Sequence, residues 1–176
     1  GNYKSQDGSV YVYDEDTKMM TPNAFAKANN NKKLGATLMS GTFSNYGIGY
    51  LLCSNPDKIE VINVLNMKTL TNPIEANLSN TREIALGGEF IFVTNAGETR
   101  VENPDGSYSY TESYVSVYNA SNNNPVDTIH VGTDAHGLLY FEHALYVGTK
   151  EGIVKLRRDG SRFVTEEVYQ DEEYTG

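Results

Sequence analysis

Short apolar runs bounded by polar, Gly-containing turns recur along the chain, and the clearest is Phe90-Ile91-Phe92-Val93-Thr94-Asn95. Upstream, Tyr50-Leu51-Leu52-Cys53-Ser54-Asn55 repeats its order of aromatic, aliphatic, apolar, small apolar, hydroxyl and Asn. Downstream, Ala144-Leu145-Tyr146-Val147-Gly148-Thr149 follows it more loosely. A second pattern accompanies the first: Ile59-Glu60-Val61-Ile62-Asn63, Val115-Ser116-Val117-Tyr118-Asn119 and Val10-Tyr11-Val12-Tyr13-Asp14, with Ile153-Val154-Lys155-Leu156-Arg157 as a weaker copy. Runs of this length, rich in β-branched and aromatic residues and closed by turn residues, predict strands.

The predicted elements fall into four copies, at approximately residues 1–33, 34–76, 77–132 and 133–169. The first holds strand Val10–Asp14 and a polar turn into Met19-Met20, then a short helix between Pro22 and Lys33 that Asn29-Asn30-Asn31 ends. The second predicts Leu38–Phe43, Tyr50–Ser54, Lys58–Val64 and Thr69–Ile74. The third predicts Glu83–Leu86, Glu89–Thr94, Tyr114–Asn119 and Val126–Val131, and carries an insertion, Ala96 to Glu112, which Asn103-Pro104-Asp105-Gly106 folds back as a protruding hairpin. The fourth predicts Gly137–Phe141, Leu145–Thr149, Ile153–Arg157 and Arg162–Tyr169, with an acidic tail, Gln170–Gly176, expected to lack order. Leu51 to Ile91 is 40 residues and Val115 to Ile153 is 38, close to the roughly 40–45 residues of one four-stranded propeller blade. The expected fold class is all-β, built of about four β-propeller blade repeats in a single domain over residues 1–176. The first copy supplies only outer strands, so the expectation is part of a seven-bladed propeller, or an arc completed by a second copy through its end blades.

Composition sharpens this picture. The 13 Tyr, 6 Phe and 16 Gly suit many strands and turns. With 14 Lys+Arg against 23 Asp+Glu the net charge is −9 and the pI about 4.8, which repels a phosphate backbone and argues against nucleic acid as a partner. Cys53 is the sole cysteine, which excludes an internal disulfide and predicts a free thiol in a buried strand. No run approaches the ~18 apolar residues of a membrane span. Gly1-Asn2 fits either a cloning scar or a processed start, and in the second case an export signal could have been removed.

At Phe92-Val93-Thr94-Asn95, with Val115-Ser116-Val117-Tyr118-Asn119 and Thr128-Ile129-His130-Val131-Gly132, the chain resembles the YVTN-type propeller repeat of surface-layer and secreted proteins. The likeness covers most of residues 8–168. The opening, Gly8-Ser9-Val10-Tyr11-Val12-Tyr13-Asp14 with Phe25-Ala26-Lys27-Ala28-Asn29 and Leu34-Gly35, resembles cell-surface lipoprotein propellers of Bacteroidetes-type bacteria. The resemblance implies export to the periplasm or outer surface, lipid-anchored or secreted, and a binding or scaffolding role with a protein or glycan partner at the cell envelope. It implies no defined reaction and no cofactor. At Val131-Gly132-Thr133-Asp134-Ala135-His136-Gly137 the sequence departs from the family's Val-Gly-x-x-Pro-x-Gly, with Ala135 in place of Pro.

Candidate chemistry follows from position. In a propeller the loops entering the innermost strands face the central channel, and here those loops carry Thr37, Arg82, Asp134 and His136. They could form an anion or metal site, or simply solvate a polar channel. Tyr108 and Tyr110, alternating with hydroxyls in the insertion, are candidates for protein or glycan contact. His130, Asp134, His136, Glu142 and His143 contain ligand types for zinc or iron, but the two ends of Gly137–Phe141 separate His130 from His143, and no metal is expected. No Gly-x-Ser-x-Gly elbow or phosphate-cradling loop is present, so no catalytic residue is assigned. A propeller hydrolase or lyase using His136, Arg82 and Asp134 is the alternative to a non-catalytic binding module.

Overall fold

The computed structural model describes residues 5–170. It is all-β, with several antiparallel sheets and one short helix. The chain forms two compact units, Gly1–Glu75 and Ala76–Gly176, whose border lies one residue from the repeat border read in the sequence.

In the first unit, β1 (Val12–Asp14) and β2 (Met19–Thr21) form a hairpin. Its turn is fixed by the Asp14 carboxylate, which accepts from the N–H groups of Asp16 and Thr17 at 3.0 and 2.8 Å. Helix α1 covers Ala24–Ala28, much shorter than the span between Pro22 and Lys33. The reason is local: Asn23, Asn30 and Asn31 adopt left-handed conformations on either side of it, which Asn tolerates and a continuing helix does not. Asn29 then ties the helix end down, its amide donating to Met67 O at 2.8 Å while its Oδ1 accepts from Thr69 N at 2.9 Å. Strands β3 (Thr37–Phe43), β4 (Ile48–Ser54) and β5 (Lys58–Asn63) make an antiparallel sheet in that order. The fourth strand expected at Thr69–Ile74 is reduced to two isolated bridges, Ile59 with Ile74 and Ile62 with Thr69; three steps along β5 answer to five along its partner, so the register slips and no continuous ladder forms between them. Phe25, Leu34, Ala36, Cys53 and Ile62 form the core against the helix.

The second unit holds two four-stranded meanders. Strands β6 (Thr81–Gly87), β7 (Phe90–Asn95), β10 (Ser113–Asn119) and β11 (Pro125–Gly132) make one, interrupted by the hairpin β8 (Arg100–Glu102) and β9 (Tyr108–Tyr110). Strands β12 (Leu138–Phe141), β13 (Ala144–Thr149), β14 (Gly152–Asp159) and β15 (Arg162–Tyr169) make the other. Alternation sends Phe90, Phe92, Val115, Val117 and Ile129 from the first sheet onto Leu145, Val147, Val154, Leu156 and Phe163 of the second. Phe163 meets both Phe90 and Phe92 edge-on, at 5.3 and 5.2 Å between centroids, and Tyr140 stacks on Phe92 at 5.7 Å. Gly87 lies directly against the Tyr140 ring, where a Cβ would have no room. Burying each large apolar side chain here contributes roughly 1.5–3 kcal/mol. The strands expected in this unit lie within two residues of those observed. Of the acidic tail, all but Gln170 lies outside the described residues.

Candidate functional site

The hairpin β8–β9 is not a free protrusion. Its turn closes through Gly106 N–H to Asn103 O at 2.9 Å and Asn103 N–H to Ser107 O at 2.8 Å, with Gly106 in the left-handed region at φ 82°. The Asp105 carboxylate accepts from the Ser107 hydroxyl at 2.6 Å and from its N–H at 2.9 Å, and these bonds hold its pKa below the ordinary value. Across the hairpin Arg100 pairs with Tyr110 and Glu102 with Tyr108. The strand period therefore puts these four residues on one face and Val101 with Ser109 on the other.

The Ser109 face docks on the rest of the second unit. Ser109 is buried, and its hydroxyl accepts from Lys150 Nζ at 2.9 Å and from Asn103 Nδ2 at 3.1 Å. Asp134 grips the neighbouring residue twice: its Oδ1 accepts from Tyr110 N–H at 2.6 Å, and its own N–H donates to Tyr110 O at 2.8 Å. Asp134 can do both because it sits at φ 48°, a conformation that short polar side chains reach at modest cost. The loop that carries Asp134 is held in turn. Thr133 N–H donates to Glu151 Oε2 at 2.9 Å and Thr133 O accepts from Lys150 N–H at 2.8 Å. Burial pushes the Glu151 pKa up, but the Thr133 donors outweigh it and leave it below the usual value.

The outer face displays the aromatic groups. Tyr108 is 49% exposed, with the Arg100 guanidinium 4.5 Å from its ring centroid. The Arg82 guanidinium, reaching over from β6, stands 5.5 Å from the Tyr110 ring. Among the described residues, neither guanidinium lies in an ion pair or donates a hydrogen bond to the protein. Arg157 and Arg158, by contrast, are paired with Glu166 and Glu89.

Of the residues singled out in the sequence, Arg82, Asp134 and Tyr110 thus meet in one place. His136 lies two residues beyond Asp134 and is held by its backbone, its N–H donating to Gly148 O at 2.9 Å and its carbonyl accepting from Thr94 Oγ1 at 2.9 Å. Its side chain is exposed. Thr37 belongs to the first unit, where it is buried at the start of β3 with no hydrogen-bond partner for its hydroxyl. Tyr108 stands next to the hairpin turn, with the Arg100 side chain reaching its ring from the open end of β8. For the hydrolytic alternative the consequence is direct: one oxygen of Asp134 is already committed to the Tyr110 N–H, which leaves it a positioning group for the hairpin. His130 is exposed on β11 beside Tyr114, and His143 is exposed in the turn after β12. Among the described residues no group of three His, Cys, Asp or Glu is placed to hold a metal.

Arg100 and Lys150 were not singled out in the sequence. A signal for Arg100 exists, since reflecting the insertion about its Asp105-Gly106 turn pairs it with Tyr110. Lys150 has none, because its contact with Ser109 spans 41 residues.

Comparison with known proteins adds little to this geometry. No family model matches the sequence, and no curated protein matches it. Among solved structures, Kluyveromyces lactis Hsv2 is similar, with a TM-score of 0.48 and 9% sequence identity. The match covers 76% of this chain and 37% of that chain, so the chain spans little more than a third of that protein's length.

Proposed function

We propose that this chain is a non-catalytic binding module built of β-propeller blades, which takes a protein or glycan partner at the cell envelope through the outer face of the β8–β9 hairpin. The observation that carries the reading is the two-point clamp of Asp134 on Tyr110, joined by the Lys150 bond to Ser109. A loop insertion fixed in this way presents Tyr108 and Tyr110 with little conformational entropy left to lose on binding, which is what a preorganised contact surface needs. The blade assignment draws support from the two successive meanders of the second unit, which share one strand order and pack face to face. Export and surface attachment rest on the resemblance to YVTN-type repeats.

The test is binding of the full chain to cell-envelope fractions and to arrays of glycans and envelope proteins, alongside Tyr108→Ala. Tyr108 is exposed, so its truncation leaves the fold intact. Specific binding that Tyr108→Ala abolishes is expected. Absence of binding across the arrays, or identical binding by the variant, would overturn the reading.

A further inference from the structure

We infer that the ligand of the β8–β9 face is an acidic sugar, recognised by its carboxylate; this rests on the binding reading above and names its chemistry. The first argument is charge. In a protein of net charge −9, two guanidinium groups are placed 4.5 and 5.5 Å from the centroids of two tyrosine rings, with their N–H groups unspent on the protein among the described residues. The N–H edge of a guanidinium matches the two oxygens of a carboxylate. Two of the insertion's carboxylates are already occupied, Asp105 by Ser107 and Glu112 by the Thr99 hydroxyl. Glu102, opposite Tyr108, shares the face, and the Asp134 carboxylate beside Tyr110 has one oxygen committed to the Tyr110 N–H.

The second argument is size. Each strand of the hairpin has three residues, about 10 Å of length at ~3.3 Å per residue, and the paired strands lie about 5 Å apart. A protein partner would need on the order of 800 Å² on this side, several times what such a face offers. One or two sugar rings fit it. Tyrosine supplies an apolar face for a ring's C–H groups and a hydroxyl for its oxygens, and the guanidinium groups then select the sugar that carries a carboxylate.

The experiment uses the full chain with a uronic-acid oligosaccharide, the same oligosaccharide with its carboxyls reduced to alcohols, and an acidic peptide of equal charge, each titrated calorimetrically. Arg82→Gln and Arg100→Gln are compared with the parent. The expected result is binding of the uronate, weakened about tenfold or more by either substitution, reduced by added salt, and lost with the carboxyl-reduced form. Equal binding of the carboxyl-reduced form, or indifference to both arginine substitutions, would overturn the acidic-sugar assignment and leave the binding module standing. Preference for the acidic peptide would overturn it in favour of a protein partner. Failure of every probe, together with failure on the arrays, would remove both readings.

Discussion

Asn95 closes the most regular strand of the chain, and its side chain offers a measurable test of how the second unit is held together. It is fully buried. Its amide donates to Val93 O at 3.1 Å and to Ser116 Oγ at 3.0 Å, and its Oδ1 accepts from Ser79 N–H at 2.9 Å. Ser116 passes the connection on to Asn77 O, and Tyr118 OH donates to Ala76 O at 2.6 Å. The irregular segment 76–80 is thereby laced onto β7 and β10, and its backbone polar groups would otherwise be left without partners. Asn95→Ala removes three bonds, each contributing a net ~1 kcal/mol, and strands the Ser79 N–H at a further cost of about 1–3 kcal/mol if water cannot reach it. We expect a loss of roughly 3–6 kcal/mol, against about 2 kcal/mol for Ser116→Ala, which removes two bonds, and a positive coupling between the two in a double-mutant cycle. Urea unfolding followed by tyrosine fluorescence and circular dichroism reads the global term, and amide exchange at Ser79, Ala96 and Gly97 reads the local one. Asn95→Ala costing under ~1 kcal/mol with unchanged exchange at Ser79 would refute the reasoning.

Other expectations are more local. Asp134→Ala removes the 2.6 Å bond to Tyr110 N–H and strains a residue at φ 48°, so exchange at Tyr110 should accelerate and ligand binding weaken, while Asp134→Asn should retain both. Burial pushes the Cys53 thiol up to about 12 from 9.0; the native protein should resist thiol reagents at pH 8, and because the unfolded chain releases that proton first, stability should fall as pH rises from about 9 towards 12. Lys58 donates to Leu34 O and Glu60 Oε1, both at 2.7 Å, and Glu60 is fully buried. Lys58→Met alone should therefore cost about 3–5 kcal/mol in chemical denaturation, and adding Glu60→Gln should recover part of it.

The strands were legible because each repeats a short apolar run ended by turn residues, and period and composition agree there. Legibility failed where polar side chains decide the backbone. The helix between Pro22 and Lys33 shrinks to five residues because Asn23, Asn30 and Asn31 take left-handed conformations, and the Thr69–Ile74 strand loses its ladder where its register against β5 slips. The hairpin at Ala96–Glu112 was readable from its turn. Its docking was not, since the groups that clamp it, Asp134 and Lys150, lie 24 and 41 residues from their partners. Asp134 was singled out in the sequence as a candidate ligand, and its hold on the Tyr110 backbone could not be read there.

The repeat also bears on what the second unit leaves uncovered. On the first meander, Phe92, Val115 and Val117 turn onto the second. Carried through the repeat, their counterparts are Tyr146, Ile153 and Lys155, and these lie on the opposite face of the second meander, across from one another in the ladder with Leu139 and Phe141. Leu139, Phe141 and Ile153 are 60, 56 and 48% exposed. The same positions that bury one sheet against its neighbour thus present an apolar face on the next, with Lys155 and Arg157 drawn together over it by Glu166 at 2.8 and 2.6 Å. Contiguous apolar surface on a sheet face favours covering by another sheet. The acidic-sugar face lies elsewhere, on an insertion whose polar contacts reach the loop after the first meander through Asp134 and the β13–β14 turn of the second through Lys150. The sugar-binding face and the apolar face are thus carried by different elements of the second unit, the β8–β9 hairpin and the β12–β15 sheet.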